Sequence, residues 1–175
     1  VEGGAISDGL MKWVLQQADR ARQNGETLIA GIHRPLLAHQ SGARSASFNG
    51  TIHNSSEIAR QFANAGLSYF FTGHMHETDV AQYTSPEGNW LLDMETGSLV
   101  TYGAPIRTAT VEGGQITLQS ESVKEITWQG QRIDYQEHLR QSLFSETAFA
   151  RYAMRFLDGP LNTLESDGLK KVVET

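Results

Sequence analysis

At 175 residues with a formal net charge of -6, the chain is long enough for one domain with a real core, or for a domain plus an appendage, and short for two full domains. It contains no cysteine, which excludes a disulfide framework and a thiolate metal site and leaves imidazole and oxygen as the ligands for any metal. The acidic balance offers no footprint for bulk binding to nucleic acid or to an anionic membrane, and no apolar run approaches the roughly 18 to 20 residues that span a bilayer.

The opening Val1-Glu2-Gly3-Gly4 resembles neither a signal peptide nor a natural start and reads as a processing or truncation boundary. Ser7 and Asp8 then offer an N-cap, Leu10, Trp13, Val14, Gln17 and Ala21 recur at roughly helical spacing, and Asn24-Gly25 supplies a stop, so a helix is expected over 7–23. The apolar run TLIAGI, 27–32, follows as a buried strand. A polar, Ser/Gly-rich loop over 38–54 is long for a compact domain, which points to a functional or mobile segment. A second helix, capped by Ser55 or Ser56, turns Ile58, Phe62 and Ala65 inward and ends at Gly66, ahead of the strand LSYFFT, 67–72. The order helix, strand, loop, helix, strand predicts α/β layering with at least two parallel strands.

From Val80 the pattern changes to short runs: VAQYT, WLLDME, SLVTY, IRTATV, ITLQS and VKEITW. Turn signals such as Ser85-Pro86-Glu87-Gly88-Asn89, Gly103-Ala104-Pro105 and Glu112-Gly113-Gly114 separate them, so they read as antiparallel strands joined by hairpins. Beyond Gly130 there is no Gly or Pro for 28 residues, and Tyr135, Leu139, Leu143, Ala150, Met154 and Leu157 fall near helical spacing. One long helix or two shorter ones are expected there, with a short terminal helix over 160–174. The implied division is a domain over 1–128 and a helical extension over 129–175.

The chemistry sits at two strand ends, where open α/β sheets collect their ligands. Gly31-Ile32-His33-Arg34-Pro35 closes the first predicted strand, and Gly73-His74-Met75-His76 closes the second. A lone histidine at a strand end is more often a satisfied polar residue than a ligand, but three in this arrangement favour metal ligation. His74 and His76 are two apart, so their side chains diverge, which suits two neighbouring metals. Metals roughly 3.5 to 4 Å apart clamp the attacking and leaving oxygens of a phosphoryl displacement. Pro35 disfavours helix at Arg34 and keeps His33 at the strand tip. Arg34 is a candidate contact for substrate phosphate. Glu77 and Asp79 could orient an imidazole, although a solvated loop carboxylate is the commoner fate. His39 and His53, in the polar loop, are expected to face solvent, and His138 falls within the C-terminal helical run.

At these residues the chain resembles the calcineurin-like metallophosphoesterases, which carry in order an Asp-x-His, a Gly-Asp, a Gly-Asn-His, a lone His commonly before a Pro, and a final Gly-His-x-His. His33 matches the lone His, His74 and His76 match the last motif, and Gly97-Ser98 looks like a Gly-Ser that follows it in the family. The resemblance covers about residues 5 to 128. It implies a C-terminal half of a two-sheet metallophosphoesterase sandwich, and two divalent metal ions (Mn, Fe or Zn), with His33 and His74 on one and His76 on the other. Asp-x-His, Gly-Asp and Gly-Asn-His occur nowhere in the chain. The bridging carboxylate, the Asn ligand and the general-acid His would therefore lie before Val1, and the segment alone should be inert. The C-terminal extension is similar to the helical tail of bacterial cyclic-nucleotide phosphodiesterases, a resemblance that brings small phosphorylated substrates, cyclic nucleotides among them, into view. Two other readings stay open: a non-catalytic binding module that kept the fold, and a mononuclear zinc protein using the three histidines with an open fourth position. A segment such as LSYFFT or WLLDM is also expected to need a covering layer from the missing first half.

Overall fold

The computed structural model describes residues 4–39, 50–113 and 115–144 and has a mixed α+β architecture. The chain divides into two compact units, whose described residues are 4–39, 50–99, 104–113 and 115–122 in the first and 100–103 and 123–144 in the second. Most of the loop expected over 38–54, the helical run beyond Phe144 and the terminal helix over 160–174 lie outside the described residues.

In the first unit, helix α1 (Asp8–Asn24) starts where Ser7 Oγ accepts the Leu10 amide at 3.3 Å and stops at Gly25, whose φ of 68° is left-handed. A residue with a Cβ resists that conformation, so the glycine fixes the end. Met11, Val14 and Leu15 pack against a core formed by Leu36, Leu37, Ile52, Ile58, Ala59, Phe62, Ala63, Leu67, Phe70 and Leu91. Helix α2 (Ser55–Asn64) supplies four of these. Its N-cap is Asn54, at φ 54° and with no side-chain capping bond, in place of the expected Ser55 or Ser56. Ser55 is instead buried.

The main sheet has the order β1-β2-β4-β3, with β1 (Ile29–Gly31), β2 (Tyr69–Thr72), β3 (Asp79–Thr84) and β4 (Trp90–Glu95). β1, β2 and β4 run parallel, and β3 returns antiparallel to β4 through the Ser85–Asn89 turn. WLLDME is thus not only a hairpin strand: it pairs parallel to LSYFFT, with Phe71 opposite Met94. Its nearly unbroken burial is that of a strand covered on both faces. The expected strand SLVTY does not form. Leu99, Val100 and Tyr102 are exposed, and turns and bends occupy 99–103. IRTATV and ITLQS do form the expected hairpin, as β5 (Pro105–Glu112) and β6 (Gln115–Ser122), paired in a separate two-stranded sheet.

The runs LSYFFT and WLLDM are covered in part, with Trp90 exposed and Tyr69 and Phe71 half-buried. Leu91, Met94 and Phe70 are buried, while Leu10, Trp13 and Ile29, on α1 and the free edge of β1, are 40–56 % exposed beside an apolar cavity of about 440 Å³.

In the second unit, β7 (Glu125–Trp128) and β8 (Gln131–Asp134) form a hairpin, so the run after Gly130 opens as a strand and not as a helix. Gln129 and Gly130 both have positive φ, the requirement of a two-residue turn whose twist matches its strands. That turn sends Ile133 back onto Ile126 before helix α3 (Tyr135–Phe144) begins. Gln136 Nε2 donates to the carbonyl oxygens of Val123 and Gly103, at 2.6 and 3.3 Å, and Leu139 is buried.

Candidate metal site at the strand ends

Register brings the histidines together. β1 and β2 pair in parallel with Gly31 opposite Phe71, so His33 and Gly73 stand two residues beyond that pair on neighbouring strands. The pairing continues past the strands: the Ile32 amide donates to Phe71 O at 3.1 Å, and the Gly73 amide donates to His33 O at 3.1 Å. The residue after Gly73 is therefore delivered beside His33. His33 Nε2 and His74 Nδ1 are 3.3 Å apart, and the rings meet edge-on with centroids 5.2 Å apart.

The turn that carries these residues is strained. His74 has φ 80° and His76 has φ 61°, left-handed values that non-glycine residues adopt at a cost. Glu95, at the end of β4 and fully buried, accepts the Met75 amide at 2.7 Å, which fastens the turn between the two histidines. His74 is half-buried and His76 exposed. Burial, then the charges of Arg34, His33 and His76, hold His74 below its ordinary pKa. It is consequently neutral at pH 7, the form that ligates metal. Those causes also put Arg34 and His76 within electrostatic reach of the His33/His74 pair.

Among the described residues no group of three or more His, Asp or Glu side chains is arranged to hold one metal ion. His76 is not brought into such a group with His33 and His74. A pair does fit: two nitrogens each about 2.1 Å from a tetrahedral metal stand about 3.4 Å apart, close to the 3.3 Å between His33 and His74.

The buried carboxylates of β4 are committed elsewhere. Asp93 Oδ2 accepts the Leu36 and Leu37 amides at 2.7 and 2.9 Å, and Oδ1 accepts the Thr72 hydroxyl. His39, expected in solvent, has a side chain with no accessible surface. Its Nδ1 lies 2.9 Å from Asp79 Oδ2, and its Nε2 lies 3.4 Å from Asp93 Oδ1 and 3.9 Å from Glu95 Oε2, ionic contacts without hydrogen-bond geometry. Burial works against its charge, but Asp93, Asp79 and Glu95 outweigh it and raise the imidazole from its ordinary 6.5 to about 9. Asp79 thus does orient an imidazole, though that of His39; its own carboxyl is held low chiefly by the same bond. Glu95 is pushed up by burial, against the amides and the His39 charge that favour its ionised form. Arg107 on β5 completes the cluster, donating through Nη1 to Asp79 O at 3.0 Å and Glu95 O at 2.8 Å. His53 and His138 are exposed.

His39 and Glu95 were legible only indirectly. Two acids inside the apolar run WLLDME require buried partners, because an unpaired charge is costly to bury, and the apolar stretch Pro35-Leu36-Leu37 just before His39 draws it inward. Gly97 shows a close approach: a Cβ there would stand 2.8 Å from Pro105 Cγ, 3.0 Å from Thr78 Oγ1 and 3.1 Å from His76 O. No protein-family model matches the chain, and no curated protein matches it.

Proposed function

We propose that this chain carries the C-terminal part of a dinuclear-metal phosphohydrolase site, within a two-sheet metallophosphoesterase sandwich, acting on a phosphodiester or phosphomonoester. The observation that supports it is the 3.3 Å approach of His33 and His74 at the carboxyl ends of neighbouring parallel strands. In this reading His33 and His74 hold one divalent metal and His76, diverging from them, serves a second. When bound, such a pair supplies Lewis-acid stabilisation of the phosphoryl oxygens and activates the attacking water. The chain's own residues do the rest. Neutral His74 is available as a donor without first losing a proton. Arg34, whose charge already bears on His74, gives the phosphoryl group a fixed cation. Asp93 and Glu95 are occupied by backbone amides, so in this reading the carboxylate that balances two dications is neither of them. Cyclic nucleotides are the substrate class to test first, followed by simple phosphomonoesters.

The test is metal analysis of the intact protein together with hydrolysis of an activated aryl phosphodiester. Two divalent ions per protein, with turnover lost in His74→Ala and in His33→Ala while the fold persists, is the expected result. Metal-free protein that retains its turnover, or full activity in both variants, overturns the reading.

A further inference from the structure

We propose that Glu95, buried beside the His39 ring, is a positioning residue that holds the Gly73–Glu77 turn in its left-handed conformation and so sets where His74 and His76 point. This rests on the proposed metal site for its functional meaning, but the brace itself is geometric. A left-handed turn at two non-glycine residues persists only when its surroundings over-determine it. Three observations supply that constraint. Glu95 Oε1 accepts the Met75 amide at 2.7 Å, from the residue that lies between the two left-handed histidines. The Glu77 amide also bears on the Glu95 carboxylate and favours its ionised form, so the backbone on either side of His76 faces one side chain. The carboxylate has no accessible surface, and its second oxygen faces His39 Nε2 at 3.9 Å.

His39 in turn is fixed by Asp79 at 2.9 Å and by Asp93, which the amides of Leu36 and Leu37 and the Thr72 hydroxyl anchor. Arg107 ties the backbone at both Asp79 and Glu95. The network therefore links the ends of β2, β3 and β4 to the loop that leaves β1, and so braces the two segments, after β1 and after β2, from which the histidines and Arg34 are presented. Groups that orient metal ligands indirectly change metal affinity by about tenfold to a hundredfold when removed.

Glu95→Ala and Glu95→Gln in the intact protein separate positioning from bulk stability, because glutamine retains an acceptor for the Met75 amide. Amide hydrogen exchange is the first readout. Glu95→Ala should speed exchange at Met75 by about tenfold to a hundredfold, the loss of a hydrogen bond to a charged acceptor, while Phe70 in the neighbouring strand stays protected. Glu95→Gln should restore most of the protection. Zinc titration is the second readout, with affinity about tenfold weaker in Glu95→Ala and largely recovered in Glu95→Gln. If the alanine variant does not fold, Glu95→Met, which fills similar volume without an acceptor, is read in the same way. Unchanged exchange at Met75, or faster exchange equally at Met75 and Phe70, overturns the brace. A wild-type protein that takes up no zinc, with the Met75 effect intact, supports the brace and removes the metal site instead.

Discussion

His74 at the rim and His39 in the interior carry the same ring into opposite fields. Burial, and then the charges of Arg34, His33 and His76 around it, hold the His74 imidazole below its ordinary pKa. Around His39 stand Asp79, Asp93 and Glu95, and the imidazole is held charged to about pH 9. The first is a group prepared to donate a lone pair; the second is a buried cation that neutralises carboxylates. The contrast shows that a histidine's place along the chain does not fix its charge state, which for His39 depends on Asp79, Asp93 and Glu95, 40 to 56 positions away.

The sharpest break of that comparison is His74→Ala, which in the intact protein should lower turnover of an activated phosphodiester by orders of magnitude without a change in unfolding midpoint beyond that of an ordinary surface substitution. The 175-residue chain by itself should show no turnover in the same assay. His39→Leu should do the reverse. It leaves two buried carboxylates without their counter-charge, a defect worth about 3–5 kcal/mol of stability, measurable by urea unfolding at pH 7.

A gentler probe is pH. The folded pKa of His39, about 9, lies above its unfolded value of 6.5, so its contribution to stability is complete below about 6.5 and is lost as pH rises through about 9. Urea midpoints should fall across that window in the wild type, and His39→Gln should flatten the fall. A wild-type midpoint that is level from pH 6.5 to 9 would show that His39 is not the buried cation described. The smallest effect is His138→Ala. That ring is exposed and stacks on Tyr135, so turnover should be unchanged and stability should move by less than about 0.5 kcal/mol.

Much of the first unit was legible because local chemistry decided it. Ser7 and Gly25 bound α1, the Glu112-Gly113 turn sets the β5/β6 hairpin, and the apolar runs before His33 and His74 form parallel neighbours. The failures share one cause, which is that long-range pairing overruled short-range pattern. WLLDME and its neighbours read as consecutive hairpins, yet β4 pairs across to β2, because a strand apolar on both faces is best buried within the sheet. SLVTY has strand-forming residues, but in the structure it forms turns with Leu99 and Val100 exposed. QRID looked helical because the apolar periodicity beyond it was extrapolated backwards, across a turn that pairs it with EITW. At the site, His33 and His74 were visible as motif residues. His39 was assigned to solvent, since nothing adjacent in sequence announces that Asp79, Asp93 and Glu95 will surround it.

Gly97 makes the ligand turn sensitive to substitutions well away from it. The space a methyl group would occupy at that position is already shared by Pro105 at the start of β5, the Thr78 hydroxyl and the carbonyl of His76. Thr78 Oγ1 also receives the Gly97 amide at 3.2 Å, so neither neighbour can retreat without giving up a bond or moving a strand. A single added carbon there acts as a wedge between the hairpin and the histidine turn. Its displacement is passed to the His76 backbone, whose left-handed geometry leaves little room to absorb it.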